Sequence, residues 1–143
     1  MSDAFAIRMP PDIQSVRVGE HDIVFIDNFL EDPQALVDVA SRSAFTPYPG
    51  VAERKGYPGM RAPAPADYSA NLTALMEPLI RQNFGVPEAL GLRKAECAFS
   101  LTTMPPGELG PLQRTPHFDA STPHHIAVLL YLCNEEHGGT GFY

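Results

Sequence analysis

The sequence lacks the features that mark several common classes of protein. Its two cysteines, Cys97 and Cys133, are far apart and form no C-x-x-C pair, so neither a disulfide framework nor a thiolate zinc site is predicted. No apolar run approaches the ~20 residues that span a bilayer, and the opening MSDAFAIRMPPD lacks the basic and apolar stretches of a secretory signal. We therefore expect a cytoplasmic protein with no membrane partner.

Basic residues are also scarce. Lysine and arginine number 10 against 17 aspartates and glutamates, which gives a formal net charge of -7. A surface of this sign repels phosphate backbones, so nucleic acid is not an expected partner. Hydrophobic residues make up 44%, as in ordinary globular proteins, while 15 prolines and 11 glycines favour strands and turns over a helical bundle.

One domain covering residues 1–143 is the natural interpretation of this length. Its first part, residues 1–90, is predicted to be a helical and loop lead-in. Helices are expected over residues 33–43, which start with a proline, and over residues 67–83, where apolar residues recur three and four apart. Strands are expected near Val16 and Val18 and over residues 21–30.

Between the two helices, residues 46–65 contain five prolines and three glycines. This density predicts a long irregular loop, which carries Arg54, Lys55 and Arg61. Long loops are often functional, but a surface wrap around the core explains the same pattern.

Residues 91–143 are predicted to hold the first strands of a β core. Residues 94–104 alternate and are rich in β-forming residues, and the apolar run at 126–133 (IAVLLYLC) is short enough to be a strand buried on both faces. Another strand is expected to begin at residues 140–143.

The triplet His117-Phe118-Asp119 lies between these predicted strands. In an extended segment, side chains two apart share a face, so the imidazole and the carboxylate project together while Phe118 packs behind them. A histidine and a carboxylate on one face suit a divalent first-row metal, and the 2-His-1-carboxylate arrangement is typical of non-haem Fe(II) oxygenases. A turn histidine followed by a capping aspartate is the alternative.

The run HFDASTPHHIAVLLYLCNEEHGGTGFY resembles prolyl-hydroxylase-like 2-oxoglutarate oxygenases, in which H-x-D, a buried strand ending in Tyr-Leu, and Gly-Gly-x-x-Phe follow in this order. Upstream, FIDNFLEDPQALV is similar, more loosely, to the strand and helix that open that superfamily. The resemblance implies an α+β fold with a mainly β core: a double-stranded β-helix, or jelly roll, that is incomplete and has N-terminal helices packed on it.

The same resemblance implies Fe(II) and 2-oxoglutarate as cofactors, ascorbate as the expected reductant, and hydroxylation of a small-molecule or peptide substrate. His117 and Asp119 would be metal ligands, while Tyr131 and Leu129 would line the 2-oxoglutarate pocket. A core tyrosine with its hydroxyl at the sheet edge is the other interpretation of Tyr131. Substrate contacts in this superfamily lie on variable loops, such as residues 46–65.

The family's second histidine and basic 2-oxoglutarate anchor lie well beyond the Gly-Gly turn, and only four residues follow Gly139. We therefore expect this chain alone to lack the third ligand and to be inactive. His137 lies in the turn itself, too close to Asp119 in sequence to be that ligand. His124 and His125 open the buried strand on opposite faces, so at most one of them faces inward, and His125 shares a face with Tyr131 and Leu129.

Two rival functions remain open. One is a metal-dependent cupin enzyme that does not use 2-oxoglutarate, which the absence of succinate production would reveal. The other is a non-catalytic binding or structural module that keeps the fold.

Overall fold

Two antiparallel sheets and three α-helices form a mixed α+β fold in the computed structural model, which describes residues 5–91, 96–122 and 124–142. The first sheet is a hairpin of β1 (Asp12–Val18) and β2 (His21–Asp27), in register from Asp12 opposite Asp27 to Val18 opposite His21. Gly19 has a φ of +61° in the two-residue turn, a value that glycine adopts without steric cost. The strand predicted over residues 21–30 is confirmed as β2, and the one expected near Val16 and Val18 extends over all of β1.

Helix α1 (Pro33–Ser41) begins where the sequence predicts. The Asp32 carboxylate caps it by accepting hydrogen bonds from the backbone N–H groups of Gln34 and Ala35, at 3.0 and 3.3 Å. Leu36, only 1% exposed, anchors the buried face of the helix in the core.

Helix α2 (Ala66–Phe84) confirms the predicted amphipathic helix to within one residue at either end. It ends at Gly85, which is left-handed with a φ of +61°. Near this end, the Arg81 guanidinium pairs with Glu77 one turn earlier at 2.7 Å.

The second sheet corrects the prediction of an irregular loop over residues 46–65. Its strands β3 (Thr46–Pro47), β4 (Gly59–Pro63) and β5 (Ala98–Thr102) pair antiparallel in that order. The prolines did not prevent β4 because Pro58 lies just before it and Pro63 is its last residue, so the middle of the strand keeps its backbone N–H donors.

Gly59 lets β4 approach its neighbour closely, because a Cβ atom there would lie 2.0 Å from the Leu101 carbonyl oxygen. Strand β5 lies inside the strand predicted at residues 94–104, of which residues 94 and 95 are outside the described part. Four of the five described strands lie within residues 1–90, of which β1 and β2 were predicted and β3 and β4 were not, so this part holds more strand than the predicted helices and loops.

The core lies where β2, α1, α2 and the second sheet meet. Its buried residues are Phe5, Phe29, Leu30, Leu36, Ala62, Tyr68, Leu72 and Phe99. Burial raises the pKa of the Tyr68 phenol to about 12, with a further contribution from Cys97, because the ionised form would lose its hydration.

The strand predicted at residues 126–133 is not formed in the part of the chain that the structure describes, and the expectation that both its faces are buried was wrong. Leu130 and Leu132 pack against the core, whereas Leu129 and Tyr131 are 61% and 50% exposed. The segment keeps the alternation of an extended chain, but no strand pairs with its backbone among the described residues.

No strand starts at residues 140–142 either, and Tyr143 is outside the described part. Over the described ranges the two sheets do not close into a barrel. None of the helices described is both long and apolar enough to cross a membrane.

Candidate functional site

An open groove of about 310 Å³ lies between the second sheet and the segment that carries His117. One wall comes from the chain around β3 and β4, and the other from helix α3 (Pro111–Arg114) and the residues after it. The lining residues are Tyr48, Gly56, Tyr57, Pro58, Arg61, Leu112, Gln113, His117 and Asp119. This volume lies at the lower end of the roughly 300–1,000 Å³ typical of small-ligand clefts.

Short-range hydrogen bonds hold α3 and so position His117. The backbone N–H of Gly110 donates to the Gln113 side-chain oxygen at 2.9 Å, and the Thr115 hydroxyl donates to the Pro111 carbonyl at 2.8 Å. The Arg114 guanidinium donates to the Pro106 carbonyl at 3.1 Å. These bonds fix the turn that precedes His117.

The structure brings the side chains of His117 and Asp119 together. The imidazole Nε2 lies 3.6 Å from the Asp119 Oδ1, and the imidazole Nδ1 lies 3.2 Å from the Thr115 carbonyl oxygen. A carbonyl oxygen only accepts hydrogen bonds, so the contact with Thr115 requires the proton on Nδ1. In the neutral ring the lone pair is then on Nε2, facing the carboxylate.

Two electron-rich atoms that face each other favour a cation between them. The separation of 3.6 Å exceeds the usual 2.7–3.2 Å of an N–H···O hydrogen bond, so a proton bridges the pair poorly. A first-row metal bound at about 2.0–2.2 Å by each atom would span 3.6 Å at a ligand–metal–ligand angle of about 110–130°, near the tetrahedral value and wider than the roughly 90° of an octahedral facial site. The pair can therefore supply two ligands to a divalent metal.

The segment around the triplet is more open than predicted. Phe118 is 80% exposed, so the expectation that it packs behind the pair was wrong. Residues 115–120 are not part of a strand, and no second layer covers their outer side in the described ranges. His117 and Asp119 are also largely exposed, which leaves them accessible to an ion from solvent.

The structure does not bring Tyr131 or Leu129 to this groove. Tyr131 lines a different groove over α1, formed with Pro33, Gln34 and Val37, and its hydroxyl is hydrogen-bonded to the Thr140 hydroxyl. Leu129 is mostly exposed. Their roles in binding 2-oxoglutarate stay predictions.

The other histidines near the C-terminal end of the chain are exposed and apart from the pair. His124, His125 and His137 do not line the groove. Within residues 5–91, 96–122 and 124–142, no group of three or more histidine, cysteine, aspartate or glutamate side chains is arranged to hold a metal ion.

The opposite wall of the groove holds a cluster of which only Arg61 was named from the sequence, as part of the loop over residues 46–65. The Arg61 guanidinium carbon lies 4.8 Å from the centroid of the Tyr48 ring and 5.2 Å from that of Tyr57. The only signal in the sequence is an arginine and two tyrosines in a stretch rich in proline and glycine. Nothing in that stretch indicates that it faces the H-x-D triplet.

The chain belongs to a family of unknown function (DUF6445), whose model matches residues 9–143. The match includes the whole of the groove described above. No curated protein and no solved structure matches the chain.

Proposed function

We propose that the groove is part of the active site of a non-haem Fe(II), 2-oxoglutarate-dependent oxygenase, with His117 and Asp119 as two of the metal ligands. The observation that carries the proposal is the orientation of the pair, with Nε2 of His117 3.6 Å from Oδ1 of Asp119. The hydrogen bond from His117 Nδ1 to a backbone carbonyl supports it, because metal-binding histidines usually donate their second ring N–H in this way.

In this proposal the chain supplies positioning and charge. The Thr115 carbonyl holds the imidazole in the tautomer that a metal requires, and the Asp119 carboxylate offsets part of the charge of a divalent ion. Fe(II) and 2-oxoglutarate, when bound, supply the chemistry that activates O2 and leads to hydroxylation of a small molecule or peptide. Ascorbate would keep the iron reduced.

The resemblance of residues 117–143 to this superfamily favours Fe(II) over other metals. In that superfamily, a second histidine is a further metal ligand. It also implies an incomplete jelly-roll core with helices packed on its N-terminal side. A cytoplasmic location agrees with cysteines that are free in the described ranges, namely Cys97 and the exposed Cys133.

Binding of 2-oxoglutarate tests the proposal. Its affinity is measured by calorimetry with Mn(II), which occupies iron sites without redox turnover, and again with EDTA. Glutarate, which lacks the keto oxygen and cannot chelate a metal through it, is the matched ligand. We expect Mn(II) to raise the affinity for 2-oxoglutarate at least tenfold and to leave the affinity for glutarate unchanged. In His117→Ala/Asp119→Ala, Mn(II) should change neither affinity.

The other outcomes identify the rival functions. Metal binding at the pair without any gain for 2-oxoglutarate would favour a metal-dependent cupin enzyme of another type. If neither metal nor 2-oxoglutarate bound to the groove, a non-catalytic binding or structural module would be the better description. His137→Ala/Glu136→Ala, an exposed histidine and acid outside the groove, controls for loss of surface charge.

A further inference from the structure

Arg61 is held by aromatic rings and not by hydrogen bonds. Its guanidinium lies against the rings of Tyr48 and Tyr57, which meet edge to face with centroids 6.1 Å apart and an interplanar angle of 72°. Such contacts attract the cation through the faces of the rings and leave the N–H donors at its edge available. Among the described residues, the Arg61 side chain makes no hydrogen bond and no ion pair.

The aromatic clamp formed by Tyr48 and Tyr57 is itself fixed in place. The Tyr57 hydroxyl is hydrogen-bonded to the Thr102 hydroxyl of β5 at 2.9 Å, and the Tyr48 backbone N–H donates to the Gly59 carbonyl at 2.9 Å. At Gly56, where φ is +64°, a Cβ atom would lie 2.8 Å from the Tyr48 ring, so the ring packs directly on the backbone. Arg61 is therefore preorganised before any ligand binds.

Three other arginines use their side-chain donors within the protein, whereas Arg8, Arg42 and Arg54, like Arg61, make no side-chain hydrogen bond among the described residues; of these four, it is Arg61 that lines the groove. Arg17 pairs with Asp22, Arg81 with Glu77, and Arg114 binds backbone carbonyls. Arg61 lines the same groove as Asp119 but is not ion-paired with it in the part of the chain that the structure describes. Arg61 is exposed and lines the groove, so its donors are accessible to a ligand there.

We propose that Arg61 binds a carboxylate group of the ligand that occupies this groove. A planar guanidinium presents two parallel N–H donors that match the two oxygens of a carboxylate, and the pair is stronger than a neutral hydrogen bond. The carboxylate belongs either to the substrate or to 2-oxoglutarate. Naming these sources rests on the proposed function, whereas carboxylate binding itself requires no metal.

The test is a titration of the metal-free protein in EDTA, followed by the NMR signal of the Arg61 Nε–H. Glutarate is compared with its neutral diamide, which has the same length without the charges. We expect glutarate to shift the Arg61 signal and the diamide not to. Equal binding of the two ligands, or an Arg61 signal that glutarate does not move, would overturn the proposal.

Variants separate the guanidinium from general charge effects. Arg61→Gln should weaken glutarate binding about tenfold or more, as expected for a lost charge-assisted pair, and Arg61→Lys should restore only part of it. Arg42→Gln removes the same charge from an exposed site outside the groove and should change nothing. Arg61→Gln with the affinity of the unchanged protein would contradict the proposal.

Tyr48→Leu tests the contribution of the aromatic clamp while the charge of Arg61 is kept. It removes one ring from the clamp, so the affinity for glutarate should fall several-fold while Arg61 remains. An unchanged affinity in Tyr48→Leu would show that the clamp does not prepare Arg61 for its ligand. Backbone amide spectra of each variant verify that the protein is folded.

The source of the carboxylate is identified with Mn(II) bound. A lower affinity of Arg61→Gln for 2-oxoglutarate assigns the carboxylate to the cosubstrate. If 2-oxoglutarate binds Arg61→Gln normally while N-acetylaspartate binds it more weakly, the carboxylate belongs to the substrate. Failure of the metal site alone would abolish the Mn(II) effect in every variant but leave the EDTA titration intact, so the two proposals fail separately.

Discussion

Replacing Gly59 by alanine should disrupt the wall of the groove that carries Arg61. The added Cβ would lie 2.0 Å from the Leu101 carbonyl oxygen and 2.9 Å from its carbon, whereas real Cβ contacts essentially never fall below 3.0 Å. The obstacle is backbone, which cannot rotate away as a side chain does. Strands β4 and β5 must therefore separate by about 1 Å at this position.

The expected cost follows from two contributions. Overpacking costs about 1–3 kcal/mol, and one weakened backbone hydrogen bond at the end of the strand pair adds about 0.5–1.5 kcal/mol. We expect Gly59→Ala to lower the free energy of unfolding by about 1.5–4.5 kcal/mol. Because Gly59 also accepts the hydrogen bond from Tyr48, the affinity of Arg61 for glutarate should fall as well.

Urea unfolding followed by circular dichroism measures the change as a shift of the midpoint. Gly107→Ala is the matched control, because Gly107 has no heavy atom within 4 Å of an added Cβ and no positive φ. It should change stability by no more than about 0.5 kcal/mol. A Gly59→Ala midpoint equal to that of Gly107→Ala would refute the close strand contact.

Three further predictions concern the core and the helices. Leu36→Ala should cost about 2–5 kcal/mol in urea unfolding, because its side chain is 1% exposed and leaves a cavity; a loss below 1 kcal/mol would contradict that burial. Asp32→Ala should cost about 1 kcal/mol, because two N–H groups of α1 lose their acceptor, and Asp32→Asn should retain most of the stability. The pKa of Tyr68 is raised to about 12 in the folded protein, so as the pH rises the unfolded chain releases the phenolic proton before the folded chain does. The resulting contribution to the free energy of unfolding is fully present below pH 10 and is lost as the pH rises to about 12. Stability measured across that range should fall less steeply in Tyr68→Phe, and identical slopes would show that the phenol is not buried.

Local signals made the helices predictable. Asp32 and Pro33 mark the start of α1, and apolar residues three and four apart define α2, so neighbouring residues alone determine these elements. Strand β4 was missed because its flanking prolines suggest a loop, although a strand can begin after one proline and end at another. Its pairing with β5 depends on residues about forty positions away, which no local pattern reports.

In the candidate site, too, some features could be predicted from neighbouring residues and others depend on the tertiary fold. His117 and Asp119 are two residues apart, so their convergence depends on local backbone geometry. The aromatic clamp around Arg61 reaches the same groove only through the tertiary fold. The expectation for Tyr131 assumed a paired strand at residues 126–133, and without such pairing among the described residues its ring lies over α1.

Paramagnetic broadening by Mn(II) in the NMR spectrum of the labelled protein shows whether His117 and Asp119 together hold a divalent metal. Amide signals closest to the ion broaden first, so a weak site with two protein ligands is detectable. We predict that residues 115–121 and the facing residues Tyr57 and Arg61 broaden first, and that the effect disappears in His117→Ala/Asp119→Ala but persists in His137→Ala/Glu136→Ala. Broadening centred elsewhere, or unchanged in His117→Ala/Asp119→Ala, would show that the pair does not bind the metal.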